Sequence, residues 1–438
     1  MSKTELKRSL SPLMLWGLGV GYVISGMYFG WNLGLAEGGT YGLAIATFFI
    51  IIMYVCFTLS YAELACAIPK AGGAFDYARL ALGNKFGFIA GMAQNIEFVF
   101  APPAIAAAIG AYLHLLYPSV DAILFSILAY ILFTGINIAG VKLAASFELI
   151  ITILAVIELM IFAGITLPEF EFSNLHRNPM PNGFQGVFAA IPFAIWFFLA
   201  IEGVANVAEE AINPQRSILI GFGSAILTLV VLCVLTFASS VGIAGWEAVV
   251  FPVGSTETSD SPLPLAISHV IDGGNILYKM LVGIGLLGLI ASFHGIILAG
   301  GRSTYEFGRI GHAPKWIGRV HSRYQTPANA LLINTLIGVF ALMTGKTGEI
   351  ITIACFGALT LYVVSMISFF VLRKRKPEMQ RPFNVPGYPI LPSLALIIAA
   401  VSLVAIFIYN VKLGLIYIAI LIGSFLVFLF YKPNSKTE

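Results

Sequence analysis

Apolar positions fall in runs of about twenty residues, each closed by a short polar or Gly/Pro-bearing stretch, the pattern of helices that cross a bilayer. Twelve such runs can be drawn, over residues 12–36, 40–67, 86–116, 121–140, 144–167, 184–210, 217–243, 276–301, 326–344, 348–372, 388–409 and 412–431. An outer-membrane barrel would instead show ten-residue segments of alternating polarity. Two runs are interrupted. The first carries "GVGYVISGMYFGWN", Gly19 to Asn32, with four glycines in fourteen residues. The sixth carries "FFLAIEGVAN", where Glu202 and Gly203 break an apolar stretch.

Runs 1 to 5 fill 12–167, runs 6 to 10 fill 184–372, and two remain over 388–431. Five is odd, so related halves would lie upside down to each other, and the interrupted run comes first in each. Interrupted segments at corresponding positions of two inverted halves point to a transport site. Backbone opened at mid-membrane exposes N–H and C=O groups that lipid cannot satisfy, so it must face protein, water or a ligand. At run 1 the N–H groups of Ser25, Gly26 and Met27 would begin an outer half-helix, an end that suits an anion or a hydroxyl oxygen. At run 6 the carbonyls of Phe197, Phe198 and Ala200 would close a half-helix, an end that suits a cation. The alternative is that the glycines only let helices approach closely.

The intramembrane acids follow. Ionised Glu202 at a helix centre costs about 2.5–3.5 kcal/mol on insertion scales. A substrate ammonium about 4 Å away at an effective dielectric near 20 returns about 4 kcal/mol before desolvation. Glu202 is therefore a candidate counter-ion, or else it is protonated or bonded to a neighbouring helix. Glu97 follows Gln94 by one turn in a polar stripe and is a pathway candidate. Glu158 lines the pathway, carries a proton or tethers helices. Glu63, Glu148, Glu209 and Glu210 fall near predicted cytoplasmic ends and read as solvated or ion-paired gate residues. His294, alone at mid-membrane, packs against a neighbouring helix or relays a proton.

Composition agrees: 59% of the 438 residues are hydrophobic, 10% are charged, and mean hydropathy is +0.93. A net charge of +3 is too small to suggest a nucleic-acid partner. The cations are placed, however. With the N-terminus inside, the inner segments hold 20 of the 24 Lys and Arg, leaving only Arg177, Lys279, Lys346 and Lys412 outside. The positive-inside rule then puts both termini, 1–11 and 432–438, in the cytoplasm. The N-terminal stretch leads into a full-length run without a small-residue cleavage site and is not read as a removed signal peptide. Cys56, Cys66, Cys233 and Cys355 lie in or beside apolar runs and read as packed thiols. No metal-spaced His/Cys cluster, catalytic triad or phosphate loop occurs, so neither an enzyme nor a cofactor is expected.

The chain resembles the amino acid–polyamine–organocation transporter superfamily over nearly all its length. The carrying segments are "GVGYVISGMYF", "LSYAELACAIPKAGGAFDYARLALG", "FFLAIEGVANVAEEAINPQRSI", "GGRSTYEFGRIGHAPKWIGRVHSRYQTPANALL" and "RPFNVPGYP". The resemblance implies an all-α polytopic membrane protein of LeuT-like fold. It would have twelve helices in a five-plus-five inverted repeat, helices 1 and 6 broken at mid-membrane, and two further C-terminal helices. The substrate site would draw on Ile24, Ser25, Gly26, Met27, Glu97, Phe197, Phe198, Ala200, Glu202 and Gly203. Within the superfamily, "GYVISGMYFGWNLGLAEGG", "FAIWFFLAIEGVA" and "SFHGII" are most similar to the ethanolamine permeases, which implies a bacterial cytoplasmic membrane.

Amino-acid carriers of this superfamily place Gly–Ser/Thr–Gly at the first break, where backbone N–H groups grip a carboxylate. Here the triplet is Ser25-Gly26-Met27, and the thioether stands where that carboxylate needs open backbone. A small amine without a carboxylate, such as ethanolamine, has less need of the cradle. An amino-acid or polyamine permease is the alternative, and a polytopic receptor or lipid-modifying enzyme a remote one. Proton-coupled relatives carry a fifth-helix lysine whose position is Ala155 here. Coupling through Glu158 or His294, coupling to sodium, uniport and exchange all stay open, as does the oligomeric state.

Overall fold

The computed structural model describes residues 10–430 apart from 71 and 141–143. Lys3, Lys7, Arg8, Lys142, Lys432, Lys436 and the side chain of Glu209 lie outside the described residues. In chain order the helices are α1 (Pro12–Val23), α2 (Ser25–Tyr28), α3 (Trp31–Ala67), α4 (Ala74–Leu82), α5 (Asn84–Leu116), α6 (Ala122–Ala139), α7 (Ala144–Thr166), α8 (Gly183–Ala189) and α9 (Ile191–Trp196). After a ten-residue 3-10 stretch, Ile201–Glu210, come α10 (Pro214–Ala244), α11 (Glu247–Val250), α12 (Pro262–Ile267), α13 (Ile276–Arg309), α14 (Ala328–Leu342), α15 (Thr347–Arg375), α16 (Ile390–Tyr409) and α17 (Val411–Phe430).

Local chemistry sets several ends. Ser11 caps α1 by accepting from the Met14 N–H, with Pro12 at the first helical position. Asp121 and Asn275 do the same for α6 and α13, accepting from the N–H groups of Ile123 and Leu277. These caps satisfy donors that have no partner within the helix.

Among the described residues, nine helices are long and apolar enough to cross a membrane. Three of the twelve expected runs do not appear as one such helix. Runs 1 and 6 are in pieces, as their interruptions suggested, and run 9 is α14, only 15 residues long. The outer part of run 1 is joined to run 2 within α3, and the division falls on Gly39, the residue inside that helix with φ 64.

The first run is opened at two places. The helix was expected to open within "GVGYVISG" so that Ser25 began the outer half. The chain does open there: Ile24, itself at near-helical angles (φ −60, ψ −23), separates α1 from α2, and α2 begins at Ser25. A second opening, which the sequence reading missed, follows at Phe29 and Gly30, and the long outer helix α3 starts at Trp31. The reason is what each glycine does. Gly17, Gly19 and Gly21 keep negative φ and admit close neighbours: Leu149, Val204 with Ala225, and Glu148 with Thr152. Of the glycines in the stretch, Gly30 alone has a positive φ, 88.

Burial orders the bundle. In α15, 83% of the most apolar window is buried, against 17% in α17 and 28% in α6. α15, α13 and α5 therefore form the centre with the broken segments, while α6, α16 and α17 present apolar faces outward, as lipid-facing helices do.

Candidate functional site

The two breaks touch. A Cβ on Gly26 would overlap the Trp196 carbonyl and come within 3.0 Å of Phe197 Cα, so only glycine lets α2 meet the end of α9 at this distance. Trp31 stacks on Phe197 with centroids 5.7 Å apart, and Phe29 meets Trp196 edge-on at 5.3 Å.

At the first break the backbone is largely satisfied from within. The Ser25 N–H donates to Ser292 Oγ (2.9 Å), and that hydroxyl donates to the Gly21 carbonyl (2.6 Å). One side chain on α13 thus bonds both sides of Ile24. The Met27 N–H is held by the Ile24 carbonyl at 2.9 Å. Two of the three N–H groups expected to await a ligand are engaged. Below Gly30, the Gly30 N–H donates to Asn32 Oδ1, and Asn32 Nδ2 donates to the Ser259 carbonyl, tying the outer half-helix to the loop before α12.

The second break lies where the sequence put it. α9 ends at Trp196, residues 197–200 turn, and Ala200 holds φ 75, a left-handed conformation that costs a non-glycine residue about 1–3 kcal/mol. Glu97 helps to fix this turn: its Oε1 accepts from the Ala200 N–H at 3.1 Å. α5 reaches this position because Gly357 on α15 admits the backbone of Ala93 and Glu97 where a Cβ would not fit.

Glu97 and Glu202 are both fully buried, and their carboxyls lie close enough to interact. Glu202 Oε2 also accepts from the Tyr362 hydroxyl (3.0 Å), which meets the Tyr54 hydroxyl at 3.1 Å. Glu97 Oε2 and Glu202 Oε1 have no donor among the described residues, and no ion pair there includes either acid. Two carboxylates in contact repel unless a proton or another cation joins them. Beside them stand the rings of Tyr54, Phe198, Phe57 and Tyr362, with centroids 4.3–5.5 Å apart. Acidic oxygens beside aromatic faces favour a small organic cation. Gly203 packs on the Tyr22 ring, so it spaces the site from α1.

The other candidates separate from this centre. Glu158 Oε2 accepts from the Tyr28 hydroxyl (2.7 Å), which also lies 2.9 Å from the Ala155 carbonyl, while the Tyr112 hydroxyl donates to the Tyr28 carbonyl. Glu158 thus ties α2 to α7, beside a small cavity lined by Tyr112, Phe162, Leu263 and Leu281. Glu63 accepts from Arg373 (2.6 and 2.9 Å) and the Val385 N–H, and Glu210 pairs with Arg302 at 3.4 Å, in keeping with the gate reading. Glu148 departs from that reading: it is buried against α1 beside His294.

Ser292, Tyr54 and Tyr362 escaped the sequence reading. Each sits in an unbroken apolar run where a hydroxyl looks like ordinary helix packing, and only their meeting at the breaks gives them a role.

Residues 13–434 match the family described as amino acid permease. The chain is 26% identical to an uncharacterized transporter of Rhizobium meliloti (strain 1021), covering 94% of this chain and 90% of that one. It is 25% identical to the branched-chain amino acid permease BcaP of Bacillus subtilis (strain 168), over 99% and 95%. It is 24% identical to the low-affinity putrescine importer PlaP of Escherichia coli (strain K12), over 97% and 96%.

Proposed function

From the premise that the chain belongs to the amino acid permease family, we propose that it is a secondary transporter importing a small amine, best ethanolamine, across the cytoplasmic membrane by alternating access. Twelve spans would form the inverted five-plus-five repeat over 12–167 and 184–372, with helices 11 and 12 over 388–431 and both termini in the cytoplasm. One bundle would rock about a fixed site between the two breaks.

One observation carries the reading. The centre offers two carboxyl oxygens without donors beside aromatic faces, while N–H groups that would grip a carboxylate are engaged by Ser292 and Ile24. The substrate ammonium would stand between Glu97 and Glu202, with the carbonyls of Phe197 and Phe198 and the backbone at Ala200 and Gly203 beside it. Its hydroxyl would meet Ile24, Ser25, Gly26 and Met27.

The second carboxyl favours one further reading, a diamine, and a putrescine importer is among the relatives. Uptake of labelled ethanolamine into proteoliposomes, in competition with putrescine and leucine, tests both. Ethanolamine failing to accumulate under any ion gradient, while leucine or putrescine does, refutes the first reading.

A further inference from the structure

Apart from the central pair and the Glu63–Arg373 pair, the described residues hold a buried acidic and basic couple with no role in binding. Glu148 Oε2 on α7 and His294 Nδ1 on α13 face each other at 3.7 Å, within ion-pair range but beyond a hydrogen bond. The side chains are only 3% and 10% exposed, and Glu148 Oε1 and His294 Nδ1 have no hydrogen-bond partner among the described residues. α1 lies across them. A Cβ on Gly21 would fall 2.7 Å from both Glu148 Oε1 and Thr152 Oγ1, and one on Gly295 would fall 3.5 Å from Glu148 Oε1. Thr152 donates to the Gly17 carbonyl, and the Gly21 carbonyl is the group held by Ser292, two residues before His294. The couple is thus seated against the backbone that leads into the first break.

Its charge depends on one proton. With that proton the couple is neutral overall, whether as imidazolium with carboxylate or imidazole with carboxylic acid. Without it, a carboxylate is buried with no donor, which costs several kcal/mol until water reaches it. Of the other titratable or charged groups, Tyr22 on α1 interacts with Glu148 and, in turn, with Arg302 on α13 and Glu210 on the 3-10 stretch, while α6 presents the Phe133 ring to His294.

We infer that Glu148 and His294 are the proton-coupling pair of this transporter, a statement that rests on the transport reading above. The pair holds one proton while α1 is seated on α7 and α13. It takes that proton from the outer side while the pathway is open outward and releases it to the cytoplasm when α1 swings away and water enters, so one proton crosses with each substrate. Both residues act by positioning α1, and neither touches substrate.

The test has a readout that needs no substrate. In full-length protein in nanodiscs, hydrogen exchange of residues 12–23, corrected for intrinsic pH dependence, is compared at about pH 5.5 and about pH 8. Wild type should protect α1 more at the lower pH, by up to about tenfold per pH unit for one linked proton. Glu148→Asp should keep that response and Glu148→Gln should lose it. Equal protection of wild type at both pH values, or a wild-type response in Glu148→Gln, overturns the inference.

In proteoliposomes, Glu148→Gln should lose proton-driven accumulation of labelled ethanolamine while keeping ethanolamine counterflow. Accumulation driven by a sodium gradient and indifferent to pH overturns proton coupling. Absence of any ethanolamine flux in wild type refutes the substrate, and the exchange readout still judges the pair.

Discussion

Replacing Ser292 with alanine removes one hydroxyl and two bonds. Ser292 is fully buried, accepts from the Ser25 N–H at 2.9 Å and donates to the Gly21 carbonyl at 2.6 Å. Alanine leaves both backbone groups buried without that partner, and each such group costs about 1–3 kcal/mol. A loss of about 3 kcal/mol is expected. With an unfolding entropy of about 2.1 cal/mol/K per residue, the whole chain gives about 0.9 kcal/mol/K, so Tm falls by about 3 °C, and by more if only part of the bundle unfolds. Thermal unfolding of the purified protein measures the shift. The variant should also recover affinity for carboxylate-bearing competitors, because the Ser25 N–H is free to meet them. An unchanged Tm together with an unchanged competition profile would refute the claim that Ser292 closes the first break.

Glu202→Gln should weaken the apparent affinity for the amine by about 10- to 100-fold, the part of a roughly 4 kcal/mol Coulomb attraction that survives desolvation; uptake at varied substrate concentration reads it. Arg373→Met leaves Glu63, 2% exposed on its side chain, with only the Val385 N–H and the more distant Arg381, and should destabilise by about 3 kcal/mol in thermal unfolding. His312, in the segment after α13, is boxed by Phe75, Phe88, Phe307 and Phe428, and burial, with Arg79 adding to it, pushes its ring down to about 4. The unfolded chain then binds more protons between its ordinary 6.5 and about 4, so stability should fall as pH drops through that window. His312→Gln should flatten that slope in thermal unfolding followed against pH.

Much of the architecture is written along the chain. Apolar runs, their spacing and the sidedness of the cations announce a helical membrane protein, because lipid leaves the backbone no choice but to bond within each segment. The second break was legible as well: Glu202 and Gly203 interrupt an apolar run, and the turn lies just before them, at 197–200. The cluster of glycines in run 1 announces an opening before Ser25, but not the second one at Phe29 and Gly30. Spacing alone cannot distinguish a glycine that admits a neighbour from one that turns the chain. Gly26 and Gly30 differ only in what packs on them and in φ, and both are consequences of the assembled bundle.

The same limit applies to the acids. Position along a run placed Glu148 at a cytoplasmic end and Glu97 and Glu202 more than a hundred residues apart. Their partners come from other helices: Ala200 for Glu97, Tyr362 for Glu202 and His294 for Glu148. Hydropathy is a property of each segment and survives being read one residue at a time. Pairing of buried charge depends on which helices lie side by side, and only the tertiary structure decided that.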